Sequence, residues 1–195
     1  MIRRLASIVC CLFAIAAAAA QVNSALPPPT EQVETGFANL PGRPNVVYNI
    51  RLLPVSSFPQ LPAQVAQQLG RMGCMIPQTY EAHEPENVIH GSFEKKGSDD
   101  WAALCSVNGV TTLYVFFQPD PAHPTPLRHQ PDGQWLGRDW SQDYGSAWGI
   151  ATRPARLMRP ADSTDHDGIE DAFVEKSTAV HYFLKGQWTI LDGSQ

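Results

Sequence analysis

Along most of the chain the apolar positions come in short β-branched or alternating runs, and in one stretch they are spaced by four. That stretch is "SSFPQLPAQVAQQLGRMGC", where Leu61, Val65 and Leu69 recur on one face of a helix. Pro62 sits near the first turn, where its missing N–H is tolerated, and Gly70 and Gly73 offer stops. The spacing predicts a helix over 61–71 that carries Cys74 to the body of the domain. Upstream, "NVVYNIRLL" (Asn45 to Leu53) is rich in β-branched residues and begins the folded part as a strand.

"NVIHGSFEKKGSDDWAALCSVNGVTTLYVFF" predicts a three-strand meander over 87–93, 101–107 and 111–117, with Asn108-Gly109 turning the second hairpin. "SAWGIAT" (146–152) returns to strand, followed by a short helical piece near 155–159. "AVHYFL" and "QWTIL" form a C-terminal hairpin turned at Lys185-Gly186. Its alternation places Val180, Tyr182 and Leu184 on one face and His181 and Phe183 on the other. Between these runs, 118–145 holds five prolines and three glycines, which argue for a long irregular segment.

These elements describe one α+β domain over 45–195. It is mainly antiparallel sheet, a meander plus the C-terminal hairpin, with one N-terminal helix packed on it. Residues 21–44 are polar and proline-bearing and read as an extended or disordered arm.

Composition then changes the picture at the N-terminus. "MIRR" is basic, Leu5 to Ala20 is an unbroken apolar and small run, and Ala18-Ala19-Ala20 precedes Gln21. This is the form of a secretory signal peptide over 1–20, and it is short for a membrane span; an uncleaved anchor is the alternative. Cys10 and Cys11 lack the small residues that a lipidation site needs before its cysteine. Without Arg3 and Arg4, 12 basic residues face 19 acidic ones, a net charge near −7. That balance disfavours nucleic acid and anionic membranes as partners. After cleavage only Cys74 and Cys105 remain, and in an exported chain such a pair is expected as a disulfide, the alternative being two buried free thiols. Closing that loop of about 31 residues is worth roughly 3–4 kcal/mol in the chain-entropy model.

Two acidic loops carry a resemblance. Ser92, Glu94, Lys96, Gly97 and Asp100, followed by Trp101-Ala102, match the spacing D-x-[DN]-x-D-G-x-x-D that precedes a strand in FG-GAP propeller blades. Ser163, Asp165, Asp167, Gly168 and Asp171 match it again, with Asp162 and Glu170 close by. In that family the side chains at these places ligate calcium, which takes six to eight oxygens. The first copy resembles the family with a lysine in place of a ligand, which implies a metal-free turn whose ammonium pairs with Glu94, Asp99 or Asp100. The second keeps Asp165, Asp167 and Asp171 at ligand spacing, so the resemblance implies calcium there; an ordinary acidic turn at Asp167-Gly168 is the alternative. The chain is too short for a propeller, and the resemblance covers two loop–strand units. More broadly, "NVIHGSFEKKGSDDWAALCS" and "DHDGIEDAFVEK" resemble a set of small exported bacterial proteins to which no reaction is attached, which implies a shared fold and an extracytoplasmic home.

No nucleophile elbow, zinc-protease motif or phosphate-cradling glycine loop is present. The chemistry-bearing residues left are His90, His166 and His181 with Asp165 and Asp167, from which a periplasmic hydrolase or metal enzyme could be built if they converge. The competing expectation is a non-catalytic binding domain whose Trp135, Trp140 and Trp148 stack on a glycan or pack against an envelope protein. In that reading no cofactor is needed beyond calcium at the second loop.

Overall fold

The computed structural model describes residues 29–118, 120–138, 143–158 and 164–192. The leader lies outside the described residues, and so does Trp140.

The first strands form a long hairpin, β1 (Gln32–Leu40) and β2 (Arg43–Pro54), turned at Pro41-Gly42 with Gly42 at φ +71°. The segment read as an arm is therefore a strand from Gln32 on, in register with β2 from Gln32↔Leu52 to Phe37↔Val47. Its alternation sends Ala38 and Leu40 inward, where they pack beside Ile50, Leu52 and Leu136. α1 (Ala63–Arg71) starts after Pro62 and buries Val65 and Leu69. It ends in a Schellman motif: Cys74 N–H donates to Leu69 O at 3.0 Å and Gly73, at φ +73°, donates to Gly70 O at 3.0 Å. That cap turns the chain so that the next residue is Cys74.

Nine strands make the first sheet. β3 (Met75–Pro77), β4 (Val88–Gly91), β5 (Asp100–Val107), β6 (Val110–Phe116) and β7 (Thr125–Pro131) follow the hairpin, then β8 (Leu136–Arg138) and β9 (Tyr144–Ser146). The order is β7-β6-β5-β3-β2-β9-β8; off this path β1 pairs with β2 and β4 with β5. The sheet is mixed, because β2 and β9 run parallel through Tyr48↔Tyr144. Asn108 and Gly109 take φ +53° and +77° in the β5–β6 turn, the doubly left-handed pair that tight hairpins require. The second sheet is an antiparallel meander of β10 (Trp148–Arg153), β11 (Gly168–Phe173), β12 (Ser177–Leu184) and β13 (Gln187–Asp192). Among the described residues the fold is thus mostly β with one α-helix, and the C-terminal hairpin is half of a four-stranded sheet.

β5 lies between two cores. Ala103 and Cys105 face α1 with Phe58, Leu61, Val65 and Leu69; Ala102 and Leu104 face the second sheet with Trp148, Ile150 and Ile169. Burial on both faces is why "WAALC" reads as a continuous apolar run. The Cys74 and Cys105 sulfurs sit at bonding distance, with Cα atoms 5.0 Å apart, and join the helix end to this central strand.

The segment 118–145 differs from expectation: among its described residues it contains β7, β8 and part of β9. β7 holds Pro126 and Pro131 because it is the outermost strand, where a missing N–H on the solvent side breaks no ladder. The helical piece expected near 155–159 is a single 3-10 turn, Ala155–Leu157.

Candidate functional site

At one end of the first sheet the start of β1, the link after β2, the α1–β3 connection and the β5–β6 turn surround a groove of about 600 Å3. Val33, Leu52, Val55 and Met75 form apolar wall, and Glu34 and Ser106 bring polar atoms to it. Glu34 and Ile50 lie opposite each other in the hairpin, so the Glu34 side chain rises from the inner face of β1. Its Oε1 would lie 3.8 Å from a Cβ placed on Gly109, above the β5–β6 turn.

The neighbour of Glu34 is Asp132, just after β7. Ser106 Oγ donates to Asp132 Oδ2 at 2.5 Å and Thr111 Oγ1 to Oδ1 at 2.6 Å. Tyr48 OH donates to Glu34 Oε1 at 3.1 Å. Burial first, then the hydrogen bond and negative charge of Asp132, push Glu34 above its ordinary value, and the bond from Tyr48 only partly offsets them. Burial followed by the Glu34 hydrogen bond also raises Tyr48. The Tyr48 ring occupies the space of two absent side chains: a Cβ would lie 2.4 Å from it at Gly36 and 2.8 Å at Gly133.

A second groove of about 430 Å3 runs past Arg43, Tyr80, Tyr144 and Glu175. Its polar groups are spent on one another, Arg43 Nη1 donating to Tyr144 OH at 2.8 Å and Tyr80 OH to Glu175 Oε2 at 2.9 Å.

The residues singled out from sequence are not gathered at either groove. Trp148 is 2% exposed and donates its Nε1–H to Asp171 Oδ1 at 2.7 Å. Trp135 is half-buried, with the Arg128 guanidinium 3.9 Å above its ring and Phe173 stacked on it at 4.9 Å. The stacking capacity of both rings is used within the protein. Trp140 is not among the described residues.

The three carboxylates of the second loop are held by separate partners. Asp171, with its side chain wholly buried, also accepts from Arg128 Nη1 at 3.1 Å and His181 Nε2 at 2.9 Å. Arg128 thus stands as the positive charge beside it. Asp167 accepts from Ser92 N–H at 3.1 Å and Ala155 N–H at 3.3 Å. Asp165 is exposed and bonds to His166 Nδ1 at 2.8 Å, which holds its carboxyl below the usual carboxylate range. Among the described residues no three His, Cys, Asp or Glu side chains are grouped so as to hold a metal ion.

The first loop is closed by Asp100, which is 0% exposed. Its Oδ2 accepts from Phe93 N–H, Glu94 N–H and Ser98 Oγ at 2.9, 2.8 and 2.5 Å, and its Oδ1 from Gln118 N–H at 3.1 Å. Lys95 Nζ pairs with Glu94 Oε2 at 3.3 Å. Backbone and hydroxyl donors therefore occupy the carboxylate that the resemblance would give to a cation. The two loops also brace each other, since Asp167 N–H donates to Ser92 O at 3.0 Å while Ser92 N–H donates back. Asp100→Ala would strand several buried donors, and we expect a loss of about 3 kcal/mol in urea denaturation at neutral pH.

The histidines keep separate company. His90 is exposed, paired with Asp99 and tilted against Trp101. His181 belongs to the Asp171 cluster, and His166 packs on Tyr182 from the opposite face of β12, its ring 4.2 Å from the tyrosine ring. His166 Nδ1 is engaged by Asp165 and by Tyr182 OH at 2.6 Å, and Nε2 has no hydrogen-bond partner among the described residues.

No family model, curated protein or solved structure matches the chain. Glu34 and Ser106 at the groove, and Tyr48 and Asp132 that bond to them from behind it, come from four separate stretches, so no local motif marks them. The available signal was the alternation of Val33, Thr35 and Phe37 with Glu34, Gly36 and Ala38, which marks β1 as a strand with an acid on its inner face.

Proposed function

We propose that the protein is a non-catalytic binding domain working outside the cytoplasm, and that the groove beside β1 receives a segment of an envelope protein bearing apolar and basic side chains. The observation that carries this reading is the pairing of apolar wall at Leu52, Val55 and Met75 with the Glu34 carboxyl, which Asp132 backs from behind the groove. A ligand ammonium or guanidinium would pair with the Glu34 carboxylate, and the net charge of −5 favours such a partner. An envelope protein is preferred over a glycan because the rings of Trp135 and Trp148 are already covered. Export accords with the Cys74–Cys105 pair, and no helix among the described residues is long and apolar enough to cross a membrane. Against catalysis by His90, His166 and His181 with Asp165 and Asp167 stands the separation of the three histidines, of which only His166 bonds to a carboxylate of that set.

The test is titration of the mature protein with lysine-containing hexapeptides and their glutamate counterparts, followed by amide NMR. Basic peptides are expected to shift Ser106 and Gly109, and Glu34→Gln to weaken them at least about tenfold with the melting temperature unchanged. Because the raised Glu34 must release its proton, affinity should fall as pH drops through the Glu34 titration. Shifts that fail to appear at those amides with any peptide would dismiss the groove.

A further inference from the structure

We infer that two copies of this chain associate through β1, edge to edge and antiparallel, with the two-fold axis at Gly36. The inference rests on the outer edge of β1 and the face around Phe37, which shares Val33 with the groove wall but does not depend on the groove's ligand.

β1 is nine residues long and pairs with β2 along one edge; among the described residues no strand pairs with the other. A free edge of that length presents a row of unpaired N–H and C=O groups, and edges that must stay single are guarded by lysine, proline or a bulge. The contrast with β7, the outermost strand on the far side of the sheet, is direct. β7 carries Pro126 and Pro131 together with the exposed His129, whereas "QVETGFANL" holds no proline and no basic residue. Its single charge, Glu34, is turned inward to Tyr48 and Asp132 and leaves the edge unguarded.

The face beside that edge is apolar and open. Val33 is 61% exposed, Phe37 75% and Val47 49%, and Val47 lies directly opposite Phe37 in the hairpin. Burial of this cluster supplies the drive, and the backbone ladder supplies the geometry.

The sequence of β1 is compatible with itself in the register that uses the whole strand. With Gly36 on the axis, Thr35 faces Phe37 of the second copy, Glu34 faces Ala38, Val33 faces Asn39 and Gln32 faces Leu40. No like charges meet. Phe37 lies diagonal to Phe37 and Val33 of the second copy on the shared outer face, a spacing within reach of aromatic side chains. Such a dimer has one isologous patch and closes on itself, as two-fold assemblies do. One strand pair with one aromatic cluster is a small interface, so a dissociation constant in the micromolar range is expected.

Sedimentation equilibrium of the mature protein across micromolar concentrations tests this. The expected result is a monomer–dimer equilibrium, weakened at least about tenfold by Phe37→Lys. Phe37 is exposed, so that variant should melt with the wild type at low concentration. Mixing Thr35→Cys with Phe37→Cys protein should give a cross-link in excess of either variant alone, which reports the register. Glu34→Gln should leave the dimer intact, separating this result from that of the groove. A monomer at every concentration, a dimer indifferent to Phe37→Lys, or no preferred cross-link in the mixture would each overturn the inference.

Discussion

Asp171→Ala is expected to lower stability by about 3–5 kcal/mol, the range for leaving a buried charge without its partner. The Asp171 carboxylate is wholly buried between the sheets and accepts from Trp148 Nε1, Arg128 Nη1 and His181 Nε2. Removing it orphans an indole N–H on a residue 2% exposed and leaves the Arg128 guanidinium facing apolar surface. Arg128 is one-third exposed and can turn toward water, which places the expected loss at the lower end of the range. The readout is urea denaturation of mature protein, with the near-ultraviolet signal of Trp148 as a second probe.

The same cluster sets an acid limit. Burial works to raise Asp171, but the hydrogen bond from His181 and the charge of Arg128 outweigh it and hold the carboxyl below its ordinary 3.8. A carboxyl lowered on folding contributes stability that is fully present above its unfolded value and is lost as pH falls through the folded one. The wild type should therefore lose stability below about pH 4, and Asp171→Asn should show a shallower loss over that window. Glu34 acts in the opposite sense. Raised on folding, it favours the native state below its unfolded value of 4.5, and that contribution fades as pH rises through the folded one.

The second large effect is expected at the sulfur bridge. Cys74→Ser with Cys105→Ser should lower stability by about 2–5 kcal/mol, and reductant should reproduce most of it in the wild type. Both cysteines are buried, at 4% and 1% exposure, so the serine hydroxyls would also sit among Phe58, Leu69 and Phe116. Comparing reduced wild type with the double variant separates the lost chain constraint from the buried-hydroxyl cost. Calorimetry on the mature protein, with and without reductant, reads both.

Local signals held where a single element decides its own form. The Asn108-Gly109 and Lys185-Gly186 turns fall where φ is positive at both residues, a demand on the backbone visible in two letters. α1 follows Leu61, Val65 and Leu69, with Gly73 ending it. In 118–145 the prolines act as breakers on a local view, and Pro126 and Pro131 are acceptable in β7 only because that strand lies at the edge of the sheet. Edge or centre is a fact about neighbours. Residues 32–40 show the converse, since a strand of modest apolarity gains its stability from β2 and from Ile50, Leu52 and Leu136 beneath it. The acidic loop at 165–171 kept ligand spacing along the chain, yet Asp171 points into the core to Arg128 while Asp165 stays in solvent.

The sequence by itself determined the turns, the helix, the main strands and the reach from Cys74 to Cys105, because each depends on backbone conformation or on periodicity over a few residues. Only the tertiary structure decided which carboxylates meet a cation, a backbone donor or another carboxyl, which tryptophan rings are covered, and which strand keeps a free edge. Glu34 and Asp132 are 98 positions apart, as are Arg128 and Asp171 by 43. Electrostatic partnership depends on distance in space, and the pairing of strands that sets those distances is the outcome of burying two faces of β5 at once.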